Sequence, residues 1–149
     1  MTQYWLCITN RDNWNVVQQQ KIWGVAERHK NSIAKAVPGD QLLFYLVSES
    51  VDGQLKESAV GGVAEVVSEV FRDTKRIFKR GTAKKTGEVF PLRVTLSHVR
   101  PFKEEILFKP LILTLQFIKN KRKWSGHIQG KAMRLIPEGD FTTIIEAEQ

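Results

Sequence analysis

Four segments constrain the fold of this chain more than any other feature. Tyr4–Thr9, residues 41–47 and residues 59–67 are short apolar runs rich in aromatic and β-branched residues. Such runs read as buried strands. In the fourth segment Phe90, Leu92, Val94 and Leu96 alternate with Arg93, Thr95 and Ser97. That period of two predicts a strand with one buried face. Residues 59–67 are apolar on both faces except at Glu65, and the Gly61-Gly62 pair predicts a bulge or a close approach by another backbone. Nothing resembles a run of alternating strand and helix units, which excludes a doubly wound parallel sheet. The pattern fits an α+β domain: a curved, mostly antiparallel sheet or small barrel with short helices packed on it.

The intervening segments carry weaker signals. Asp12 or Asn13 suits the N-cap of a short helix through Val16, Val17 and Gln20. Residues 21–26 read as extended, residues 30–37 as a helical turn, and Pro38-Gly39-Asp40 as a turn. Residues 50–57 read as the loop of a hairpin. Residues 74–88 are polar, basic and punctuated by glycine, so they are expected to be mobile surface. Pro110 suits the first turn of a helix whose face carries Leu111, Leu115 and Ile118. Residues 126–136 are mixed, and residues 138–147 read as a closing helix. A length of 149 residues fits one domain, residues 1–149, around one core.

The net charge of +7 favours a polyanionic partner, chiefly nucleic acid. The charge is clustered. Arg72, Lys75, Arg76, Lys79, Arg80, Lys84 and Lys85 are opposed only by Asp73, and a second cluster, Lys119, Lys121, Arg122 and Lys123, runs directly into Trp124. Charge runs are also ordinary solvated surface; the interleaving of cations with an aromatic makes the second cluster the better phosphate-contact candidate. No apolar run has the length needed to span a bilayer. The start Met1-Thr2-Gln3-Tyr4-Trp5 lacks the basic region and small-residue cleavage site of a signal peptide, so a cytoplasmic location is expected.

Catalytic motifs are not evident. Cys7 is the single cysteine, which rules out an internal disulfide and removes the usual thiolate set of a structural zinc site. Cys7 with His29, His98 or His127 could form a thiolate–imidazole pair, but Cys7 lies inside the strand Trp5-Leu6-Cys7-Ile8, where an inert core thiol is expected. The three histidines lack metal-ligand spacing, and no P-loop, Gly-x-Ser-x-Gly or His-Glu-x-x-His occurs. No cofactor, metal or catalytic set is expected.

Three of the four tryptophans, Trp5, Trp14 and Trp23, fall within the first 23 residues. Trp5 belongs to a buried strand and reads as core. Trp14 stands among Asn10, Arg11, Asp12, Asn13 and Asn15, and Trp23 precedes Gly24, where a ligand can approach the backbone closely. Both are open to two readings: ordinary core, or a stacking slot for a flat ligand such as a nucleobase. Thr9 and Asn10 end the first strand beside them, and their side chains could read the edge of a base.

Taken in order, the motifs resemble the EVE domain family. Tyr4-Trp5-Leu6-Cys7-Ile8-Thr9-Asn10, Trp14, Ile22-Trp23-Gly24-Val25 and Gly39-Asp40-Gln41-Leu42-Leu43-Phe44-Tyr45 carry the resemblance through the first third. Gly61-Gly62-Val63-Ala64-Glu65-Val66, Trp124-Ser125-Gly126, Gln129-Gly130 and Asp140-Phe141 extend it over nearly the whole chain. The resemblance implies a PUA-like fold, a strongly bent mixed β-barrel or sheet decorated with short helices. Its relatives include YTH domains, which hold a methylated adenine in an aromatic cage, and ASCH domains. It also implies a reader of modified bases in DNA or RNA rather than an enzyme. Trp23 matches a cage tryptophan of the YTH relatives, Gly24 and Val25 match the backbone beside the base, and Thr9 and Asn10 match the strand end that lines the pocket; Trp14 and Tyr45 complete the expected base pocket.

Three functions are thus compatible with the sequence. The first is a modified-base reader, with Arg72, Lys75, Arg76, Lys79, Arg80, Lys84, Lys85, Lys121, Arg122 and Lys123 on the nucleic-acid backbone. The second is a general RNA-binding module linked to RNA modification or the ribosome, which needs the basic surface but no cage. The third is a small nucleotide-processing enzyme using Cys7 or a histidine.

Overall fold

The computed structural model describes residues 2–78 and 89–148. In chain order the elements are β1 (Tyr4–Thr9), α1 (Arg11–Gln20), β2 (Ile22–Val25), α2 (Lys30–Ile33), β3 (Gln41–Leu46), β4 (Glu49–Val51), β5 (Gln54–Lys56), β6 (Ala59–Val66), β7 (Phe71–Arg72), β8 (Leu92–Leu107), β9 (Met133–Ile136) and α3 (Glu138–Glu146). Short 3₁₀ turns occupy Glu27–His29, Lys109–Leu111 and Trp124–His127. The main sheet runs β2-β8-β6-β3-β1-β9, with β7 also on β8. β1 and β3 are parallel; the other pairs are antiparallel. The sheet curls into a half-barrel, the bent mixed sheet with short helices that defines a PUA-like α+β fold.

Alternation along the central strands divides the apolar side chains between two cores. Trp5, Cys7, Leu42, Phe44 and Leu46 face the concave core, joined there by Trp14, Val17, Trp23 and Val25. Leu6, Leu43 and Tyr45 face the other, with Phe102, Phe108, Leu115, Ile118 and Ile144. This is why β3 and β6 are apolar on both faces. The expected bulge sits at Gly61: Phe44 pairs with Gly62 but Tyr45 pairs with Val60, leaving Gly61 as the extra residue. Gly61 and Gly62 consequently both face Trp14. β8 bends through two register shifts against β6, and Pro101 lies in the bent part, opposite Gly62.

Several sequence expectations are corrected. The N-cap of α1 is Asn10, not Asp12 or Asn13: Asn10 has extended backbone and its side-chain oxygen accepts from the Asn13 N–H at 2.7 Å. Strand and helix therefore abut without a linker. Residues 50–57 are not only loop; β4 and β5 form a small hairpin around Asp52 and Gly53, both with positive φ. The helix expected after Pro110 stops at one 3₁₀ turn, Lys109–Leu111. Asp140 accepts from the Gln116 and Phe117 N–H groups at 2.8 Å each, and the Lys121 ammonium donates to the Ile112 and Leu115 carbonyls at 3.0 and 2.6 Å. Side chains thus satisfy backbone groups that a helix would have paired with each other. Residues 74–88 were expected to be mobile surface; residues 79–88 lie outside the described residues, and Phe78 is buried in the concave core.

Candidate functional site

The sequence places tryptophans in the first turn of α1 and on β2, and the fold turns both into the half-barrel. Trp14 is buried because α1 starts directly at the end of β1, which rolls its first turn over the sheet. Its indole stacks on Phe44 with centroids 4.6 Å apart and planes at 27°. Trp23 meets the same Phe44 edge-on, at 5.6 Å and 72°. The two tryptophans are therefore brought together, but the ring between them is Phe44. Both are nearly closed to solvent, at 5% and 3% exposure. The Trp23 indole N–H points at the Met133 sulfur, 3.4 Å away.

Gly24 is covered. A β-carbon there would lie 2.9 Å from the Phe78 ring and 3.1 Å from the Phe90 carbonyl. Phe78 and Phe90 meet edge-to-face at 5.9 Å. Val25 is core. Thr9 is buried, and its carbonyl accepts from Val47 at 3.0 Å. Asn10 gives its side-chain oxygen to the helix cap, as above. Tyr45 is separated from the rest: it lies on the opposite face of the sheet, edge-on to Phe108 at 4.9 Å, and burial pushes its phenol pKa up.

The basic residues divide by environment. Arg72 forms a two-pronged pair with Glu27 at 2.8 and 2.9 Å, which holds the guanidinium above and the carboxyl below their ordinary pKa ranges. Lys75, Arg76, Arg122 and Lys123 are exposed. Lys121 is tied to carbonyls, as described. Lys79, Arg80, Lys84 and Lys85 lie outside the described residues.

Two features had no signal in the sequence. The first is Arg93, which alternation assigned to solvent but which is fully buried. Its guanidinium donates to the carbonyls of Val89 and Phe90, each at 3.0 Å, and to that of Lys75. It also lies over the Phe78 ring, at 5.7 Å, and near Asp73, at 3.5 Å. One buried cation so ties residues 73–78 and 89–90 to β8.

The second is a cleft of about 450 Å³ between α2 and β9. Trp5 and Met133 form its buried floor, and the Met133 sulfur meets the Trp23 indole N–H on its inner side. Ser32 and Lys35 line it on the α2 side and Lys131 on the β9 side, whereas the Arg134 guanidinium lies away from the floor, over Phe117. The Trp5 indole is fixed from behind by Asp40, at 3.0 Å, whose carboxylate also accepts from the Gln3 side chain and the backbone N–H of Gln3 and Val37.

Cys7 sits fully buried in the concave core, where burial pushes its thiol pKa well up. His98 is exposed, beside Ser97 and Glu65. Among the described residues no three His, Cys, Asp or Glu side chains converge as a metal site. None of the described helices is long and apolar enough to cross a membrane.

The bent sheet, the aromatic concave core and the order of motifs define a PUA-like domain. Residues 3–147 match the model of the EVE domain, and the chain belongs to that family. It is 53% identical over 142 residues to a UPF0310 protein of Pyrococcus abyssi, covering 95% of this chain and 96% of that one. The human THYN1 protein, solved in complex with 5-methylcytosine-containing DNA, has the same fold. Its TM-score is 0.64 at 18% identity, with 99% of this chain and 98% of that one covered. The Mmi1 YTH domain aligns over 97% of this chain and 86% of its own, with a TM-score of 0.52 at 10% identity.

Proposed function

We propose that the protein is a nucleic-acid-binding module that reads a methylated base. The observation that carries the proposal is the cleft over Trp5 and Met133, with Trp23 directly behind the methionine. EVE membership and the methylated DNA held by the human relative of the same fold support the ligand class. A base leaves its stack, at a few kcal/mol in a duplex and less in a single strand, and enters the cleft. The unbranched Met133 side chain turns aside, and the base stacks against Trp23. Stacking on an aromatic side chain returns about 1–3 kcal/mol per base.

The other pocket residues act behind this wall. Asn10 caps α1 and so holds Trp14 against Phe44, which in turn sets the angle of Trp23. Thr9 anchors the end of β1, and Gly24 and Val25 carry the backbone beside Trp23. Burial of one methyl group contributes about 0.8 kcal/mol, or roughly fourfold in affinity. Any larger preference comes from polar groups at the cleft, of which the Ser32 hydroxyl is one.

The test is a titration of single-stranded DNA and RNA, methylated and plain, followed by quenching of tryptophan fluorescence at two salt concentrations. A preference of about fourfold or more for one methylated base is expected. Trp23→Leu, checked for fold by circular dichroism, removes it. Equal affinities with a steep salt dependence contradict base reading and leave a general nucleic-acid-binding surface.

A further inference from the structure

Across the sheet from the cleft, the connection between β8 and β9 builds a cationic turn beside a half-buried tryptophan. From residue 106 to residue 137 the chain carries no Asp or Glu, and its cations crowd into residues 119–123. The turn is fixed by its own hydrogen bonds. The Asn120 N–H donates to His127 Nε2 and the Lys123 N–H to the Asn120 side-chain oxygen, each at 3.1 Å. The Gly126 N–H donates to the Lys123 carbonyl, also at 3.1 Å. Lys121 is tied to the Ile112 and Leu115 carbonyls, whereas Lys119, Arg122 and Lys123 are exposed. No carboxylate pairs with those three among the described residues.

Trp124 follows directly. Its ring leans on Phe108, with centroids 5.6 Å apart and planes at 41°, at the margin of the second core. Phe108 is fully buried and Trp124 only partly, so part of the indole meets solvent next to Lys123. An accessible aromatic flanked by unpaired cations suits a chain that offers flat bases and phosphates together.

We propose that this turn is a second contact for single-stranded nucleic acid, with a base stacked on Trp124 and phosphates against Lys119, Arg122 and Lys123. Stacking on a ring face reads no base edge, so this contact is blind to sequence and to methylation. Trp5 and Met133 face the concave core and Trp124 the other, which makes the turn a site separate from the cleft. The inference rests on nucleic acid being the ligand, as proposed above, but not on the reading of a methylated base.

The test follows the Trp124 indole resonance, assigned with Trp124→Phe, while short single strands are added in methylated, plain and abasic forms. It is expected to shift alike with methylated and plain strands, and less with the abasic one. Affinity is measured in parallel by fluorescence anisotropy across a salt series. Arg122→Gln/Lys123→Gln changes only exposed side chains, because the bonds Lys123 makes within the turn are backbone ones. Loss of two phosphate contacts flattens the log–log salt slope by about 1.4, at about 0.7 per contact on a single strand. The equal-charge control Lys56→Gln/Lys103→Gln, also exposed, changes it much less.

A Trp124 resonance that stays in place while the strands bind overturns the second contact. So does an equal change of slope in the control pair, which marks diffuse attraction, and an equal shift with the abasic strand overturns the stacking. A Trp124 shift without any preference for methylated strands supports the second contact and removes the reader. A methylation-sensitive Trp23 shift with Trp124 unmoved does the reverse. If wild type binds no nucleic acid, both fall.

Discussion

The Trp14 indole packs directly against Gly62. A β-carbon at Gly62 would come within 2.5 Å of the indole and 2.6 Å of the Arg100 carbonyl. The bulge at Gly61 turns both glycines toward α1, and their missing side chains make the seat on which the helix rests. Because Trp14 then stacks on Phe44, and Phe44 meets Trp23, the glycine pair also fixes the wall of the proposed pocket.

Gly62→Ala is therefore expected to destabilise the fold by about 1–3 kcal/mol or more, since one of its two clashes is with backbone that cannot turn away. Urea denaturation of the two proteins measures it. A change below about 0.5 kcal/mol, the scale of an ordinary surface substitution, contradicts the seat.

Arg93→Met removes the donor to three carbonyls at once. A buried carbonyl left without a partner costs about 1–3 kcal/mol, so a loss of about 3 kcal/mol or more is expected. Arg93→Lys recovers little of it, because one ammonium lacks the planar fork that reaches Lys75, Val89 and Phe90 together. Limited trypsin digestion supplies a local readout: cleavage after Lys75 or Arg76 accelerates in Arg93→Met. Unchanged cleavage and stability contradict the clamp.

Asp140→Ala tests the irregular segment before β9. Its carboxylate accepts from Gln116 and Phe117, both at 2.8 Å, and loss of two partially or fully buried acceptor contacts is expected to cost about 2 kcal/mol or more. Thermal unfolding checks the loss. Retained stability would mean that these N–H groups find other partners, such as the helical ones that Pro110 and the apolar spacing suggest.

The buried thiol of Cys7 gives a pH signature. Its pKa in the folded protein is raised by burial above the ordinary 9.0. Below that value the thiol is protonated in both folded and unfolded chains, and its contribution is fully present. As pH rises past it, the unfolded chain releases a proton that the folded protein keeps, so stability falls. Relative to Cys7→Ala, the wild type is expected to lose stability as the pH rises from 8 to 10. Urea midpoints of both proteins at the two pH values decide; a constant difference contradicts the burial of this thiol.

Much of the fold was legible in local pattern. The three apolar runs and the alternation at residues 90–96 form β1, β3, β6 and the start of β8, and the glycine pair forms the bulge. What escaped is set by distant partners. Residues 111–118 have helical spacing, but Asp140 and Lys121 take their backbone groups. β9 is short and carries Arg134 and a half-exposed Leu135, so alternation there is faint; it is a strand because β1 has a free edge. Arg93 occupies a solvent phase of its strand, yet residues 73–78 and 89–90 fold over it. The cleft was invisible for the same reason: its lining comes from β1, from α2 with the turn after it, and from residues 130–135, which meet only in the folded protein. The tryptophans were legible as a group, whereas the insertion of Phe44 between Trp14 and Trp23 was not.

The central claim is that a methylated base reaches Trp23. The most direct measurement is the ¹H–¹⁵N spectrum of the four tryptophan indoles, recorded while a single strand carrying 5-methylcytosine is added and repeated with its unmethylated counterpart. The account predicts that the Trp23 indole resonance shifts as its contact with the Met133 sulfur is broken, and that it saturates at a lower concentration of the methylated strand. A Trp23 resonance that stays in place while the strand binds would contradict it.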